Sequence, residues 1–283
     1  MALFSLLVAI LVERMKLLPS GWQFDSVMTR YQKQFWDSQS LKSEVGVVIA
    51  IVLPALLVLL ISFLLDGIFF DLLSLLFWVL ISIICFSHQT LRSVFKQYIQ
   101  AACRGDVQAC YRYASELDPT ESLDVVDEQD LGRKVGQTVA WINYRYYGAV
   151  ALYLIFLGPV GAILYCTVRF YSEYNSKNKL EMPLVDRLQM IFDWLPSRVF
   201  SFGYVLSGQF SSGLSVWRQY GLSVNTDAKT IVTHTAVAAE SLPEVGDAPL
   251  SVQSTLALLA LSKRNFVLLL TMVSVLTIFG FVS

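Results

Sequence analysis

The feature that most constrains this chain is an uncharged apolar run over residues 45–65, VGVVIAIVLPALLVLLISFLL. As a helix, a run of this length crosses a hydrocarbon core about 30 Å thick. Pro54 lies mid-run, which a membrane helix tolerates when neighbouring groups satisfy the freed carbonyl. The composition agrees: 15% of residues are charged and mean hydropathy is +0.57, whereas about a quarter of the residues of a soluble domain are charged. The sequence therefore predicts an all-α polytopic membrane protein.

Three more apolar runs predict further transmembrane helices, at residues 68–86, 148–168 and 266–282. The first two spans form a hairpin, because Asp66 and Gly67 between them are typical of a tight turn. Within the third span, Gly158-Pro159 together with Gly161 predicts a kink and close approach of neighbouring backbones. The sequence thus predicts four firm spans.

Two other apolar segments carry charges that a lipid-facing helix does not accommodate. The N-terminal stretch FSLLVAILVERMKLLP contains Glu13, Arg14 and Lys16, each of which costs roughly 2.5–3.5 kcal/mol at mid-bilayer. This helix must pair its charges or lie near the interface. Residues 188–207 include Asp193, Pro196 and Arg198, so we expect a broken, re-entrant or interfacial element that packs against protein.

Amphipathic helices are predicted between the spans. Apolar side chains recur at helical spacing from Phe24 to Phe35, as in a helix lying among lipid headgroups. A similar pattern over residues 89–117 is interrupted at Gly105, where Asp106 is placed to cap the next helix. Residues 118–130 are acidic and are interpreted as an exposed linker.

The predicted organisation follows the chain in six segments. They are a charged N-terminal helix with an interfacial amphipathic helix (1–44), a transmembrane hairpin (45–86), an amphipathic helical loop (87–147), a transmembrane helix (148–168), a broken or re-entrant segment with a helical loop (169–264), and a C-terminal transmembrane helix (265–283). Basic residues before the first span and after the second place the 87–147 loop in the cytoplasm. Bases after the third span conflict with that rule, so the side of 169–264 stays open.

Several functional classes are disfavoured by the sequence. The net charge of −1 offers no basic excess for nucleic acid. Cys103 and Cys110 have neither CxxC nor zinc-knuckle spacing, so we expect free thiols and no metal. His88 and His234 are interpreted as incidental polar residues. The chain has no P-loop, dinucleotide-binding, nucleophile-elbow or HExxH signature, and no cofactor is expected.

Ionisable groups in apolar context are the candidate functional residues, because they are costly in a bilayer. Three sets meet this description: Glu13 with Arg14; Asn143, Arg145 and Arg169; and Arg187, Asp193 and Arg198. Arginine is suggestive because its planar fork matches carboxylates and phosphates. Structural alternatives are snorkelling of Arg145 and Arg169 to the interface, an orienting Glu13–Arg14 pair, and an Asp193–Arg198 pair inside a broken helix.

Four stretches carry a resemblance to a known family: LVERMKLL, AACRGDVQACYRYA, GPVGAILY and DRLQMIFDWLPSRVFSF. Over essentially the whole chain, the sequence resembles the AmpE family of inner-membrane proteins associated with the regulation of β-lactamase induction. More distantly, from Glu13 to about Phe210, it resembles the CobD/CbiB membrane enzymes of cobalamin synthesis. Those enzymes attach an aminopropanol arm to a corrinoid carboxylate through an amide bond. The resemblance implies a multi-pass protein of the bacterial inner (plasma) membrane.

The resemblance to the enzymes carries over to some residues. Glu13 stands at an acidic position of the enzymes, and Gly105-Asp106 matches a Gly-Asp before a helix. Glycines 158 and 161 with Ala162 and Tyr165 match a Gly/Pro-rich turn, whereas Arg187, Pro196 and Arg198 match an Arg…Pro-Ala-Arg stretch.

Acidic positions of the enzymes are not retained. Gln189-Met190 replaces an Asp-Asp pair, the segment 141–147 replaces Glu-Asn…Asp-Gly, and residues 169–172 replace Asn-Thr-x-Asp. Activation of a carboxylate by a nucleotide needs acids that hold Mg²⁺. The resemblance therefore favours a scaffold that binds a ligand without running the ligation.

The leading hypothesis is a non-catalytic inner-membrane regulator that binds an anionic or amphipathic ligand. Its expected ligand-binding residues are Glu13, Arg14, Asn143, Tyr165, Arg169, Arg187, Asp193 and Arg198, with structural roles for Gly158, Pro159, Gly161 and Pro196. A membrane enzyme that forms an amide bond or handles a phosphorylated substrate is the alternative. A transporter is a third hypothesis, disfavoured because four spans without internal repeats leave little room for a pore. The partners indicated are the lipid bilayer and an anionic small-molecule ligand, and the sequence names no protein partner.

Overall fold

The computed structural model describes residues 1–37, 39–119, 127–240 and 250–281, and these residues form helices and connecting turns without any strand. The helices are α1 (Ala2–Met15), α2 (Phe24–Phe35), α3 (Glu44–Leu65), α4 (Leu72–Phe86), α5 (Gln89–Cys103), α6 (Val107–Leu117), α7 (Glu128–Asn143), α8 (Ala149–Asn178), α9 (Val185–Ser207), α10 (Phe210–Gly221), α11 (Ala228–Ala239) and α12 (Leu250–Ile278). The predicted all-α membrane fold is confirmed. Most of the expected acidic linker, residues 120–126, lies outside the described residues.

Helix ends follow local chemistry. The Asp106 carboxylate accepts a hydrogen bond from the Ala109 amide at 3.0 Å and caps α6. Gly105 before it has φ +72°, a conformation that glycine adopts without steric cost. The break and the cap predicted there are both confirmed. Similarly, Ser43 begins α3 by accepting a hydrogen bond from Gly46.

By length and composition, three helical stretches could cross a membrane: Glu44–Leu65, Asp130–Asn178 and Val252–Ile278. A fourth candidate is the pair α4 and α5, which are bent by 41° relative to each other. Helix α1 has 14 residues, about 21 Å of helix, which is too short to span the hydrocarbon alone. It packs instead along α4 and buries Leu6, Ala9 and Glu13.

The stretch Asp130–Asn178 is not one straight helix, because the chain reverses at Gly158. The rings of Tyr153 and Tyr165 stack with centroids 5.0 Å apart, although twelve residues of straight helix would separate them by about 18 Å. Likewise, the Tyr146 hydroxyl lies 3.1 Å from the Glu173 carboxylate, where a straight helix would require roughly 40 Å.

We call the two antiparallel arms, residues 144–157 and 159–178, the helical hairpin. Gly158 at its tip has φ 66° and ψ −160°, a backbone region essentially restricted to glycine. The sequence correctly predicted a kink at Gly158-Pro159. The kink is larger than that expectation, because it turns the chain back on itself within the predicted span 148–168.

Two compact units are formed by segments distant in sequence. The first unit contains Met1–His88, Tyr146–Asp193 and Leu270–Ser283. The second contains Gln89–Arg145 and Trp194–Leu269. Helix α9 contributes to both units and runs through Pro196 as one helix of 23 residues. A break near Pro196, one of the three alternatives expected for this segment, is therefore absent from α9.

Candidate functional site

A group of buried and half-buried polar side chains lies at the base of the helical hairpin, inside the first unit. We call it the polar cluster, and its members are Glu13, Asp25, His88, Tyr146, Tyr147, Arg169 and Glu173. They come from α1, α2, the α4–α5 connection, the turn before α8, and α8 itself. Ionisable groups inside a membrane protein are candidate functional residues, and here five separate elements bring them together.

Arg169 is at the centre of the polar cluster and is only 1% exposed. Its guanidinium carbon lies 4.0 Å from the centroid of the Tyr146 ring, a cation–π contact strengthened by removal of water. Its Nη2 is 3.5 Å from Oδ1 of Asp25. Such burial within protein excludes the snorkelling alternative for Arg169, since a snorkelling side chain holds its charge in water.

Two consecutive tyrosines connect the hairpin base to acids on either side. The Tyr146 hydroxyl donates to the Glu173 carboxylate, at 3.1 and 3.2 Å from its two oxygens, and the Tyr147 hydroxyl donates to Oε1 of Glu13 at 3.0 Å. Both tyrosines belong to a π-helical turn, Tyr144–Gly148. Such turns are rare and are frequently found at functional sites. Glu13 is 4% exposed, so its charge is satisfied inside the protein.

His88 lies between the two tyrosines. Its ring centroid is 4.6 Å from that of Tyr146 and 4.7 Å from that of Tyr147, and its Nδ1 is 3.0 Å from the Phe86 carbonyl oxygen. At 4% exposure it is a buried member of the polar cluster. His88 is therefore packed inside the protein against two aromatic rings, which the sequence pattern did not indicate.

Replacing Tyr147 with phenylalanine is expected to destabilise the protein by about 1–3 kcal/mol, because it leaves the buried Glu13 carboxylate without this donor. Chemical denaturation in detergent micelles measures the loss. Tyr174→Phe is the matched control, since its ring stacks on Phe170 and the described residues give its hydroxyl no hydrogen bond. Equal losses for the two variants would contradict a specific role for the Glu13 contact.

A second buried group of the first unit lies nearer the hairpin tip. The Tyr165 hydroxyl donates to Oδ1 of Asp193 at 2.9 Å, and the Gln189 amide also donates to this carboxylate. Tyr153 stacks on Tyr165 and donates to the Phe192 carbonyl at 2.8 Å. Asp193 is 3% exposed. The sequence candidates Tyr165 and Asp193 are thus in direct contact.

The remaining candidates lie elsewhere. Arg14 and Arg187 are exposed, and the Asn143 amide donates to Val139 within its own helix. In the second unit, the Arg198 guanidinium donates to the backbone carbonyls of Trp194, Ser223 and Thr226. Burial lowers the pKa of Arg198, but an arginine remains charged at neutral pH. Arg198 therefore fastens α9 to the loop before α11.

A metal centre is not evident in the part of the chain that the structure describes, where no three His, Cys, Asp or Glu side chains are grouped as metal ligands. The three acids of the polar cluster instead face tyrosine hydroxyls and a guanidinium. This arrangement suits recognition of a polar group by hydrogen bonds and charge.

These features define a polytopic helical membrane protein with a buried ionic and aromatic cluster beneath a helical hairpin. The family model described as "Regulatory signalling modulator protein AmpE" matches residues 1–283, and the chain belongs to the AmpE family. Protein AmpE of Shigella flexneri is 26% identical over 291 aligned positions, which cover 99% of each chain. No solved structure matches the chain significantly. The distant likeness to the CobD/CbiB enzymes stays a prediction.

Proposed function

We propose that this protein is an inner-membrane regulator of β-lactamase induction whose polar cluster binds the anionic group of an amphipathic ligand. Membership of a family described as regulatory signalling modulators supports the regulatory role. The observation that carries the ligand site is the buried Arg169 guanidinium, which lies on the Tyr146 ring and beside Asp25.

The geometry around Arg169 favours exchange of its partner. Its contact with Asp25 is 3.5 Å long, whereas a charge-assisted hydrogen bond is about 2.7–2.9 Å. The Asp25 side chain is 42% exposed and can move toward water. A ligand carboxylate or phosphate that formed a closer, bidentate contact would replace Asp25, because the guanidinium fork matches those groups.

Partner exchange at Arg169 also suggests how binding becomes a signal. Asp25 is in the first turn of α2, an amphipathic helix whose Phe24 also contacts the Arg169 guanidinium. Loss of the Asp25 contact would weaken the attachment of α2 to the hairpin. A ligand that prefers the released state would shift the population toward it by its differential affinity for the two states.

Binding of muropeptides, nucleotides and lipid phosphates to the protein in nanodiscs tests the proposal. Asp25→Asn is expected to tighten binding of the ligand, because it removes the competing carboxylate, whereas Arg169→Lys weakens it about tenfold, equivalent to roughly 1.4 kcal/mol. The matched control is Arg187→Lys, at an exposed site of α9. Unchanged affinity in both cluster variants would exclude Arg169 as the anion site. Mg²⁺-dependent nucleotide turnover would favour the alternative of a membrane enzyme.

A further inference from the structure

Helix α9 has its polar and apolar faces reversed relative to a helix of a soluble protein. Around its middle, Met190, Ile191 and Leu195 are 58%, 63% and 61% exposed. On the opposite face, Gln189 and Asp193 are 9% and 3% exposed. A surface helix in water buries its apolar stripe and exposes its polar one. This pattern is suited to an apolar solvent outside and a polar interior.

Two hydrogen bonds fix the position of α9 along the helical hairpin. The Tyr153 hydroxyl bonds to the Phe192 carbonyl and the Tyr165 hydroxyl bonds to the Asp193 carboxylate. Tyr153 precedes Gly158 by five residues, about 8 Å of helix. The middle of α9 therefore lies within roughly two helical turns of the hairpin tip.

The hairpin tip itself has exposed apolar side chains. Phe156 and Leu157, next to Gly158, are 69% and 59% exposed. Gly158 lies against the indole of Trp78 on α4, whose atoms would be 3.0 Å from an added Cβ. Because α4 is uncharged along its length, the tip and its exposed phenylalanine are at the depth of a strongly apolar helix.

We infer that residues 189–195 of α9 lie in the hydrocarbon region of the bilayer and that their exposed face contacts lipid acyl chains. The apolar stripe of α9 adjoins the apolar hairpin tip at the same depth, and the first unit also exposes Leu57, Leu60 and Phe63 on the candidate span α3. Exposed apolar side chains on several elements of one unit are what lipid covers. Averaged hydropathy does not identify α9 as a span, because its buried polar face offsets the exposed apolar one.

This placement explains the composition of the buried face of α9. A carboxylate within the hydrocarbon region is very costly unless hydrogen bonds satisfy it. Asp193 receives such bonds from Tyr165 and Gln189, and none of these side chains faces outward. A molecule that enters from the bilayer would pass the apolar face of α9 before it reached the Asp193 carboxylate.

Nitroxide labels on single cysteines test the inference in liposomes of the full-length protein. Cys103 is exposed and is first replaced by serine, whereas the other three cysteines are buried. Labels at Ile191 and Leu195 are expected to collide often with oxygen and rarely with a water-soluble nickel chelate, as does a label at Leu57 on α3. A label at the exposed Asp186, about one and a half turns before Ile191 and two and a half turns before Leu195 on α9, is the aqueous control and should show the reverse preference.

Each outcome decides the matter. An oxygen-to-nickel ratio at Ile191 and Leu195 that is several-fold above the Asp186 ratio supports lipid contact. Nickel accessibility equal to that of Asp186 would place this face in water and overturn the inference. Low accessibility to both reagents would overturn lipid as the occupant, since a second copy or a protein partner would then cover the face. All labelled positions are exposed, so the labels are compatible with folding.

Discussion

Arg169→Met is expected to destabilise the protein by about 3 kcal/mol, the low end of the range for breaking a buried ion pair, because Arg169 is buried whereas its partner Asp25 is 42% exposed. The substitution keeps an apolar body of similar length but deletes the charge that lies beside Asp25 and over Tyr146. The negative charges of the polar cluster then lose their compensating cation in a low-dielectric site. For a protein of this size, the loss corresponds to a fall in melting temperature of roughly 10 °C.

Two further variants separate the charge from the packing of Arg169. Arg187→Met removes an exposed arginine and is expected to change stability by no more than about 0.5 kcal/mol. The double variant Arg169→Met with Asp25→Asn should recover part of the lost stability. It also removes the Asp25 negative charge, which Arg169→Met alone leaves uncompensated. Denaturation curves in detergent give all three values. A loss at Arg169 no larger than that at Arg187 would mean that the buried charge does not stabilise the polar cluster.

Local features of this fold were readable from the sequence because they depend on residues close together in the chain. Twenty-one uncharged residues predict α3, and Gly105 followed by Asp106 predicts the end of one helix and the start of the next. The kink at Gly158-Pro159 was likewise predicted from two adjacent residues. The size of this kink could not be predicted, since the chain reversal depends on contacts such as that between Tyr146 and Glu173, which are 27 residues apart.

The polar cluster was only partly predictable for the same reason. Glu13 and Arg169 were identified because a charge in an apolar run is costly wherever it lies. Their contacts are with Tyr147 and Asp25, separated from them by 134 and 144 residues, and no local pattern pairs them. The signal that was overlooked is the run YRYY at 144–147, whose hydroxyls need partners when the helix that carries them is buried.

Gly158→Ala is expected to destabilise the helical hairpin by about 2–4 kcal/mol. An L-residue at φ 66° and ψ −160° is strained by about 1–3 kcal/mol. The added methyl group would also lie 3.0–3.1 Å from the Trp78 indole, which must shift by a few tenths of an ångström to make room. The reversal holds Tyr146 near Glu173. In the variant, the distribution of distances between spin labels on the two arms should therefore broaden as the arms separate.

Gly67→Ala is the control for Gly158→Ala. It measures the general loss of stability when a glycine with positive φ is replaced. Gly67 has φ +74°, and the described residues place no atom within 4 Å of an added Cβ, so a smaller loss of about 1 kcal/mol is expected there. The excess at Gly158 then reports its glycine-specific backbone conformation together with the contact with Trp78. Equal losses at the two glycines, with unchanged distances between the arms, would show that close packing of the tip does not hold the reversal on which the polar cluster depends.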